Sequence, residues 1–362
     1  MGTIFTGSAG STAFTAFTRS LLLAPLLVLG VLPASASADE TAATRQATNY
    51  ATSPAGKALI RELAEEGLDA DRIREVLATA ERQEPILEAI ARPAERVLTW
   101  GDYRKIFIRD TRIEQGLAFW QENRALLQRA EDEYGVPAEI IVAIIGVETS
   151  YGRNKGNWRV VDALATLGFD YPPRADFFRR ELAHLFRLEQ EAGIDAATVR
   201  GSYAGAMGMP QFISSSYRAY AVDFDGDGKI DLIDNVADVV GSVANYFKAH
   251  RWQTGLPIAA RARVTDDRDD TLFGTEYRLG ELTLEGANRR GATALSCADG
   301  HRYCFDLPGD TRVAALGLEG EQGQEFWLTT HNFYVITRYN HSHLYAMAVT
   351  QLSRELSDQM PD

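Results

Sequence analysis

Residues Glu139–Gly152 read E-I-I-V-A-I-I-G-V-E-T-S-Y-G, and how this stretch folds decides the rest. Ile140 to Val147 is apolar on every side, so a helix here is buried all round rather than amphipathic. Pro137 stands where a first-turn proline belongs, and Tyr151-Gly152 makes a stop just past the last turn. The first ionisable residue after the run is Glu148, at the C-terminal end of the helix. Burial disfavours its charged form, and the negative end of the helix dipole disfavours it again. A carboxylic acid that stays protonated near neutral pH is what a general acid for glycoside cleavage needs. The same spacing also suits a glutamate that reaches from a helix end into water, so the rest of the chain must decide.

Outward from this helix the pattern is mainly α. Towards the N-terminus, Leu59, Ile60 and Leu63, then Ile73, Val76 and Leu77, then Ile86, Leu87 and Ile90 share helical faces. Asp69 and Asp71 are read as caps, and Pro85 and Pro93 break the run into short helices. Residues 100–104 (W-G-D-Y-R) are read as a turn with two exposed aromatics, and one long helix is expected over 113–134. Beyond Glu148, a short helix begins at Asp162, Tyr171-Pro172-Pro173-Arg174 is a stiff turn, and 176–190 and 234–250 are helical. From 257 to 324 the period shortens towards two, as in Glu281-Leu282-Thr283-Leu284, with Gly and Asp turns. That predicts a small β domain inserted into an α protein. The remainder, 325–362, carries Phe326, Trp327, Phe333, Tyr334, Tyr339 and Tyr345 and then a closing helix.

The chain has 362 residues, 45% of them apolar, enough for a sizeable core and more than one domain. Residues 21–32 form an apolar run too short to span a bilayer, preceded by Arg19 and followed by an A-x-A ending. This predicts a signal peptide over 1–38, cleaved after Ala38, then a flexible leader over 39–52. No other stretch is a candidate membrane span, and no Cys near the cleavage site offers a lipid anchor, so a free periplasmic protein is expected. The net charge of −13 and the lack of a basic run with interleaved aromatics exclude nucleic acid as a partner. Recognition of an envelope polymer must then be local rather than by bulk charge. Cys297 and Cys304 are expected to form a small disulfide loop around His301, because no second Cys/His pair completes a metal site.

The strongest local signal is D-F-D-G-D-G-K-I-D-L-I-D, residues 223–234. Asp223, Asp225, Asp227, Asp231 and Asp234 fall at positions 1, 3, 5, 9 and 12 of the EF-hand template, with Gly228 at the sharp turn and the carbonyl of Lys229 at 7. Hard oxygens in this order point to one structural Ca²⁺. Position 12 is the shorter Asp rather than Glu, and Asp238, one turn further on, is the alternative ligand. The glycine-rich Gly205-Ala206-Met207-Gly208 and the following Pro210-Gln211-Phe212 place an amide and an aromatic on a tight loop, a combination suited to a sugar. Ser202 reads either as a helix cap or as a catalytic contact. No second carboxylate accompanies Glu148, although a glycosidase of the usual kind needs a pair. Asp162 and Asp176 are candidates by proximity in sequence only.

Four blocks carry a resemblance: I-I-G-V-E-T-S-Y-G, S-Y-A-G-A-M-G-M-P-Q-F, D-F-D-G-D-G-K-I-D and N-F-Y-V-I-T-R-Y-N-H-S-H-L-Y-A-M-A-V. From about Asp69 to Leu352 the chain resembles the lytic murein transglycosylase B family, glycoside hydrolase family 103. The resemblance implies a mainly α fold: an N-terminal α domain (53–115), a lysozyme-like catalytic core (116–256) with its EF-hand at 223–234, a small β domain (257–324) and a closing segment (325–362). It implies that Glu148 is the sole acid/base, cutting between N-acetylmuramic acid and N-acetylglucosamine to leave a 1,6-anhydromuramic end. Positions matching the family's groove are Tyr103, Ser202, Gln211, Tyr246, Tyr339, Asn340 and Tyr345. Arg174 matches a peptide-stem contact, although Pro173 replaces the second Arg often found beside it. The expected partner is the peptidoglycan glycan strand, the only expected cofactor is Ca²⁺, and a monomer is expected. Two other readings compete: a hydrolytic muramidase on the same scaffold, and a calcium-stabilised wall-binding module without activity.

Overall fold

A computed structural model describes residues 49–91, 98–273, 277 and 279–361. The expected signal peptide, the leader up to residue 48 and Pro93 lie outside these residues. Residues 49–52 depart from the expected flexible leader. Tyr50 and Ala51 are buried, and the Tyr50 hydroxyl donates to Asp170 Oδ2 at 2.6 Å while its ring stacks on Phe169.

Three short helices follow, α1 (Pro54–Glu65), α2 (Ala70–Thr79) and α3 (Glu84–Ile90). Asp69 caps α2 by accepting from the amides of Asp71 and Arg72. Asp71 itself lies in the first turn rather than at a cap, where its charge meets the positive helix end. Pro85 sits in the first turn of α3 and starts that helix rather than breaking one. Residues 100–104 are not a turn but the start of α4 (Trp100–Phe107), capped by Thr99. Trp100 and Tyr103 lie on its buried face, so neither is exposed.

The helix expected over 113–134 is two, α5 (Asp110–Glu122) and α6 (Arg124–Tyr134). The break is at Asn123, whose side-chain amide donates back to the Phe119 carbonyl at 2.8 Å and competes with the ladder there. The boundary expected between 115 and 116 therefore falls inside α5. Next comes α7 (Ala138–Thr149), with Pro137 at its N-cap position and every residue except Glu139 and Glu148 buried. Each fully buried Ile or Val contributes roughly 1.5–3 kcal/mol relative to exposure, so this helix is the anchor of the core.

The chain then forms β1 (Trp158–Arg159), α8 (Val160–Asp170), α9 (Ala175–Ala192), β2 (Arg200–Gly201), α10 (Ser214–Tyr220) and α11 (Val236–Ala249). The short strands β1 and β2 pair antiparallel, and α8 packs against α9. After α11 the chain leaves the helical core and builds a four-stranded antiparallel sheet. Its strands are β3 (Ala259–Val264), β4 (Ala292–Ala294), β5 (Ala314–Gly320) and β6 (Gly323–Thr329), in the order β4-β3-β6-β5. Helix α12 (Leu284–Arg289) covers it, and Ala260, Leu272, Ala287, Ala292, Phe305, Val313 and Leu328 form its own small core. The sheet runs on to Thr329, so the boundary expected at 324 cuts strand β6. Cys297 and Cys304 are joined in a disulfide within this domain. The chain returns through α13 (His331–Tyr339) to α14 (His343–Gln359), which packs along α7.

Candidate active site

Glu148 is the penultimate residue of α7 and is half-buried. Ser150 and Tyr151 follow in the left-handed region, φ 52° and 61°, and turn the chain sharply away from the carboxyl group. The Thr149 hydroxyl donates to the Met209 carbonyl at 2.9 Å and accepts the Gly152 amide at 3.0 Å. These bonds fix the helix end against the glycine-rich loop. Across the groove, Tyr345 on α14 donates its hydroxyl to Glu148 Oε1 at 2.6 Å. Tyr345 is fully buried; burial first, then the Glu148 charge, holds its phenol well above the usual value, so it stays a donor.

A train of aromatic rings continues from this pair. Tyr339 lies parallel to Tyr345 with ring centroids 6.4 Å apart, and its hydroxyl donates to the Pro210 carbonyl at 2.6 Å. Tyr246 meets Tyr339 edge-on at 4.8 Å, donates to the Arg338 carbonyl at 2.6 Å and stacks on His250 at 4.1 Å. Gln211 has φ 53° and donates its amide to the carbonyls of Gly208 (2.8 Å) and Lys155 (3.1 Å). A cavity of ≈ 380 Å³ here is lined by Gln211, Phe212, Tyr246, Tyr339, Arg338 and Phe177 among others, inside the range of about 300–1,000 Å³ for small-ligand sites.

The structure thus brings Glu148, Tyr345, Tyr339, Tyr246 and Gln211 into one region. Ser202, Tyr103 and Asn340 are buried. Ser202 Oγ accepts from the amides of Ala204 and Ala206, so it closes a loop and caps no helix. Tyr103 lies close enough to Tyr345 for its charge to be felt there. Asn340 Oδ1 accepts the Ser342 amide at 3.1 Å and shapes the α13–α14 turn. Arg174 lies over Phe177 and Phe178, 4.5 and 5.1 Å from their ring centres, beside the cavity. Neither sequence-neighbour carboxylate serves as a partner to Glu148. Asp162 accepts the Glu81 amide and pairs with Arg159, and Asp176 is exposed and pairs with Arg179. Glu181, which does line the cavity, has both oxygens held by Ser215. Phe177, His250 and Lys155 were not singled out by sequence; each is a lone residue with no motif around it.

In the acidic loop, Asp223, Asp225 and Asp227 offer carboxylate oxygens within 4.8 Å of one another. Gly226 and Gly228 take positive φ, and the amides of Gly226, Asp227 and Gly228 all donate to Asp223. This all-oxygen set fits a hard cation. The two residues considered for the twelfth position differ in setting, and Asp238 is the one near enough to feel the charges of Asp223 and Asp225. Asp234 is exposed and pairs with Lys155 at 2.8 Å. Asp238 is fully buried, and its two oxygens accept the amides of Phe224 (2.8 Å) and Asp231 (2.7 Å), clasping the two ends of the loop. Asp231 turns Oδ1 to the amides of Ile233 and Asp234.

Residues 51–354 match the family described as the transglycosylase SLT domain. The membrane-bound lytic murein transglycosylase B of Escherichia coli (strain K12) is 38% identical over 319 residues, covering 85% of this chain and 84% of that protein. The crystal structure of soluble lytic transglycosylase SltB1 from Pseudomonas aeruginosa is 47% identical, with a TM-score of 0.78 over 84% of this chain and 99% of that one. The Escherichia coli lytic transglycosylase Slt35, solved in complex with calcium, is 38% identical, with a TM-score of 0.75 over 85% and 94% of the two chains. With a lysozyme-like helical core, a family match over most of its length and relatives at this identity, the chain belongs to the transglycosylase SLT domain family.

Proposed function

We propose that this chain is a lytic transglycosylase of peptidoglycan, cutting the β-1,4 bond between N-acetylmuramic acid and N-acetylglucosamine with Glu148 as its only acid/base. The observation that carries this reading is the Tyr345–Glu148 hydrogen bond, joined through Tyr339 to the ≈ 380 Å³ cavity, with Asp162, Asp176 and Glu181 each engaged elsewhere. The Glu148 carboxyl protonates the glycosidic oxygen as its bond to the muramic C1 breaks, and the N-acetylglucosamine side leaves with that proton. The resulting carboxylate then takes the proton of the muramic C6 hydroxyl, whose oxygen bonds to C1. Glu148 ends protonated as it began, no water is consumed, and a 1,6-anhydro end results. Tyr345, buried and held as a donor, keeps the carboxyl oriented through both steps.

The acidic loop suits one structural calcium ion, held by Asp223, Asp225 and Asp227, with the Lys229 carbonyl and Asp231 completing the set and Asp234 or Asp238 closing it. The ion's role is to neutralise the clustered carboxylates and stiffen the loop. The expected signal peptide and the wall polymer as substrate support a periplasmic place of action. Among the described residues no helix is long and apolar enough to cross a membrane.

The test is mass spectrometry of the products from purified peptidoglycan. Muropeptides one water lighter than the hydrolysed form support the transglycosylase. Ordinary reducing ends mean that water attacks, and the single-acid mechanism falls.

A further inference from the structure

A second cleft of ≈ 430 Å³ lies where the sheet domain meets the helical core. It is walled by α4 (Trp100, Arg104), by the β5–β6 turn, by Arg261 of β3 and Arg302 of the disulfide loop, and by Gln351 of α14. Three guanidinium groups face one space in a chain of net charge −13. Two of them are compensated. Arg261 pairs with Glu325 at 2.6 Å, and Arg302 pairs with Glu355 and Asp358, each at 2.8 Å. The remaining carboxylate on the rim, Glu321, pairs with Lys105 at 2.8 Å.

Arg104 differs. It is half-buried, donates Nε to Gln351 Oε1 at 2.9 Å, and has no carboxylate partner among the described residues. That bond orients the guanidinium and leaves its terminal amino groups, the fork that takes a carboxylate end-on. Gln351 lies six residues after Tyr345 on α14, about 9 Å along the helix axis. Six residues also turn about 240° around the helix, so the cleft opens on another face of α14 from Tyr345. An extended peptide of five residues spans about 17 Å, longer than the axial offset.

We propose that this cleft binds the free C-terminal carboxylate of a peptidoglycan stem peptide, with Arg104 as its anchor. The ligand class rests on the peptidoglycan reading above, because stem peptides are what bring a carboxylate to this enzyme.

The experiment is calorimetric titration of the wild-type chain with N-acetyl-Lys-D-Ala-D-Ala and, separately, with its C-terminal amide. The acid binds at least about tenfold more tightly than the amide, the scale of one charge-assisted bidentate contact. Arg104→Gln loses the same factor, Arg104→Lys retains part of it, and Arg338→Gln, in the other cavity, changes nothing. Equal binding of acid and amide, no binding by wild type, unchanged binding by Arg104→Gln, or a loss on Arg338→Gln instead, each overturns the assignment. The acid–amide comparison needs no variant and so survives a folding defect in Arg104→Gln. Cleavage of peptide-free glycan to anhydro ends reports on the proposed function separately: if it fails while the acid still binds through Arg104, the cleft stands and that function does not.

Discussion

The Tyr345 hydroxyl donates to Glu148 Oε1 at 2.6 Å across 197 positions of sequence. A hydrogen bond to a charged or proton-donating carboxyl contributes about 1.5–3 kcal/mol, so Tyr345→Phe is expected to lower kcat by about 10- to 100-fold. KM should change little, since the buried phenol orients the acid rather than covering the sugar. Steady-state kinetics on a defined muropeptide checks this, and wild-type turnover in the variant would remove Tyr345 from the mechanism.

Glu148→Gln keeps the shape of the helix end and removes the titrating proton. Turnover is expected to fall by at least about a thousandfold, with the melting temperature within a few degrees of wild type. Binding of an uncleaved glycan strand, measured by titration, should persist. Substantial residual cleavage would mean that another group acts as acid.

How much of this was legible in the sequence follows from the range of each interaction. The apolar run before Glu148 declares a buried helix ending in an acid, because periodicity is local. The carboxylate spacing of 223–234 declares a cation loop for the same reason. The hydroxyl that holds Glu148 is one of many tyrosines in an aromatic-rich tail, and only the packing of α14 on α7 selects it. That Asp238 clasps the two ends of the acidic loop through the amides of Phe224 and Asp231 is not legible in the spacing, because it depends on how α11 packs against the loop. The break at Asn123 carries no Gly or Pro, and residues 49–52 look like a polar leader until Tyr50 finds Asp170.

Calcium removal should destabilise the fold. An ion at a hundred times its Kd stabilises by about 2.7 kcal/mol, which for a chain of this size is roughly 4 °C in Tm. Chelation is expected to lower Tm by that order, with Asp223→Asn, which removes one charge from the cluster, insensitive to added calcium. Identical melting with and without chelator would argue against a bound ion.

Gly208 has φ +71°, and a Cβ there would stand 2.1 Å from the Leu232 carbonyl oxygen. That carbonyl accepts the Met209 amide at 2.9 Å, joining the acidic loop to the loop that holds Gln211. Gly208→Ala is expected to cost more than about 2 kcal/mol in urea unfolding and to weaken turnover as well. Gly226→Ala, in open space but also at positive φ, should cost less.

Burial pushes the imidazoles of His250, His341 and His343 below their usual value. A depressed imidazole means that the unfolded chain binds the proton more readily. The stability it contributes is complete above about pH 6.5 and is lost as pH falls through the folded value. Glu139 and Glu181, pushed up by burial, act with the opposite sign, losing stability as pH rises through their folded values. The histidine contribution is isolated by a difference: the Tm advantage of wild type over His250→Gln is expected to be larger at pH 7.5 than at pH 5.5. Parallel Tm curves would contradict it.

Between α11 and α13 the chain leaves the helical core, builds the disulfide-bearing sheet and only then returns to supply Tyr339 and Tyr345. The acid is made early and its holder last. A chain still being synthesised carries Glu148 without the hydroxyl that aims it, so the site is complete only once α14 has packed on α7. A fragment cut anywhere before α14 is expected to be silent, because it lacks both Tyr345 and the helix that packs along α7.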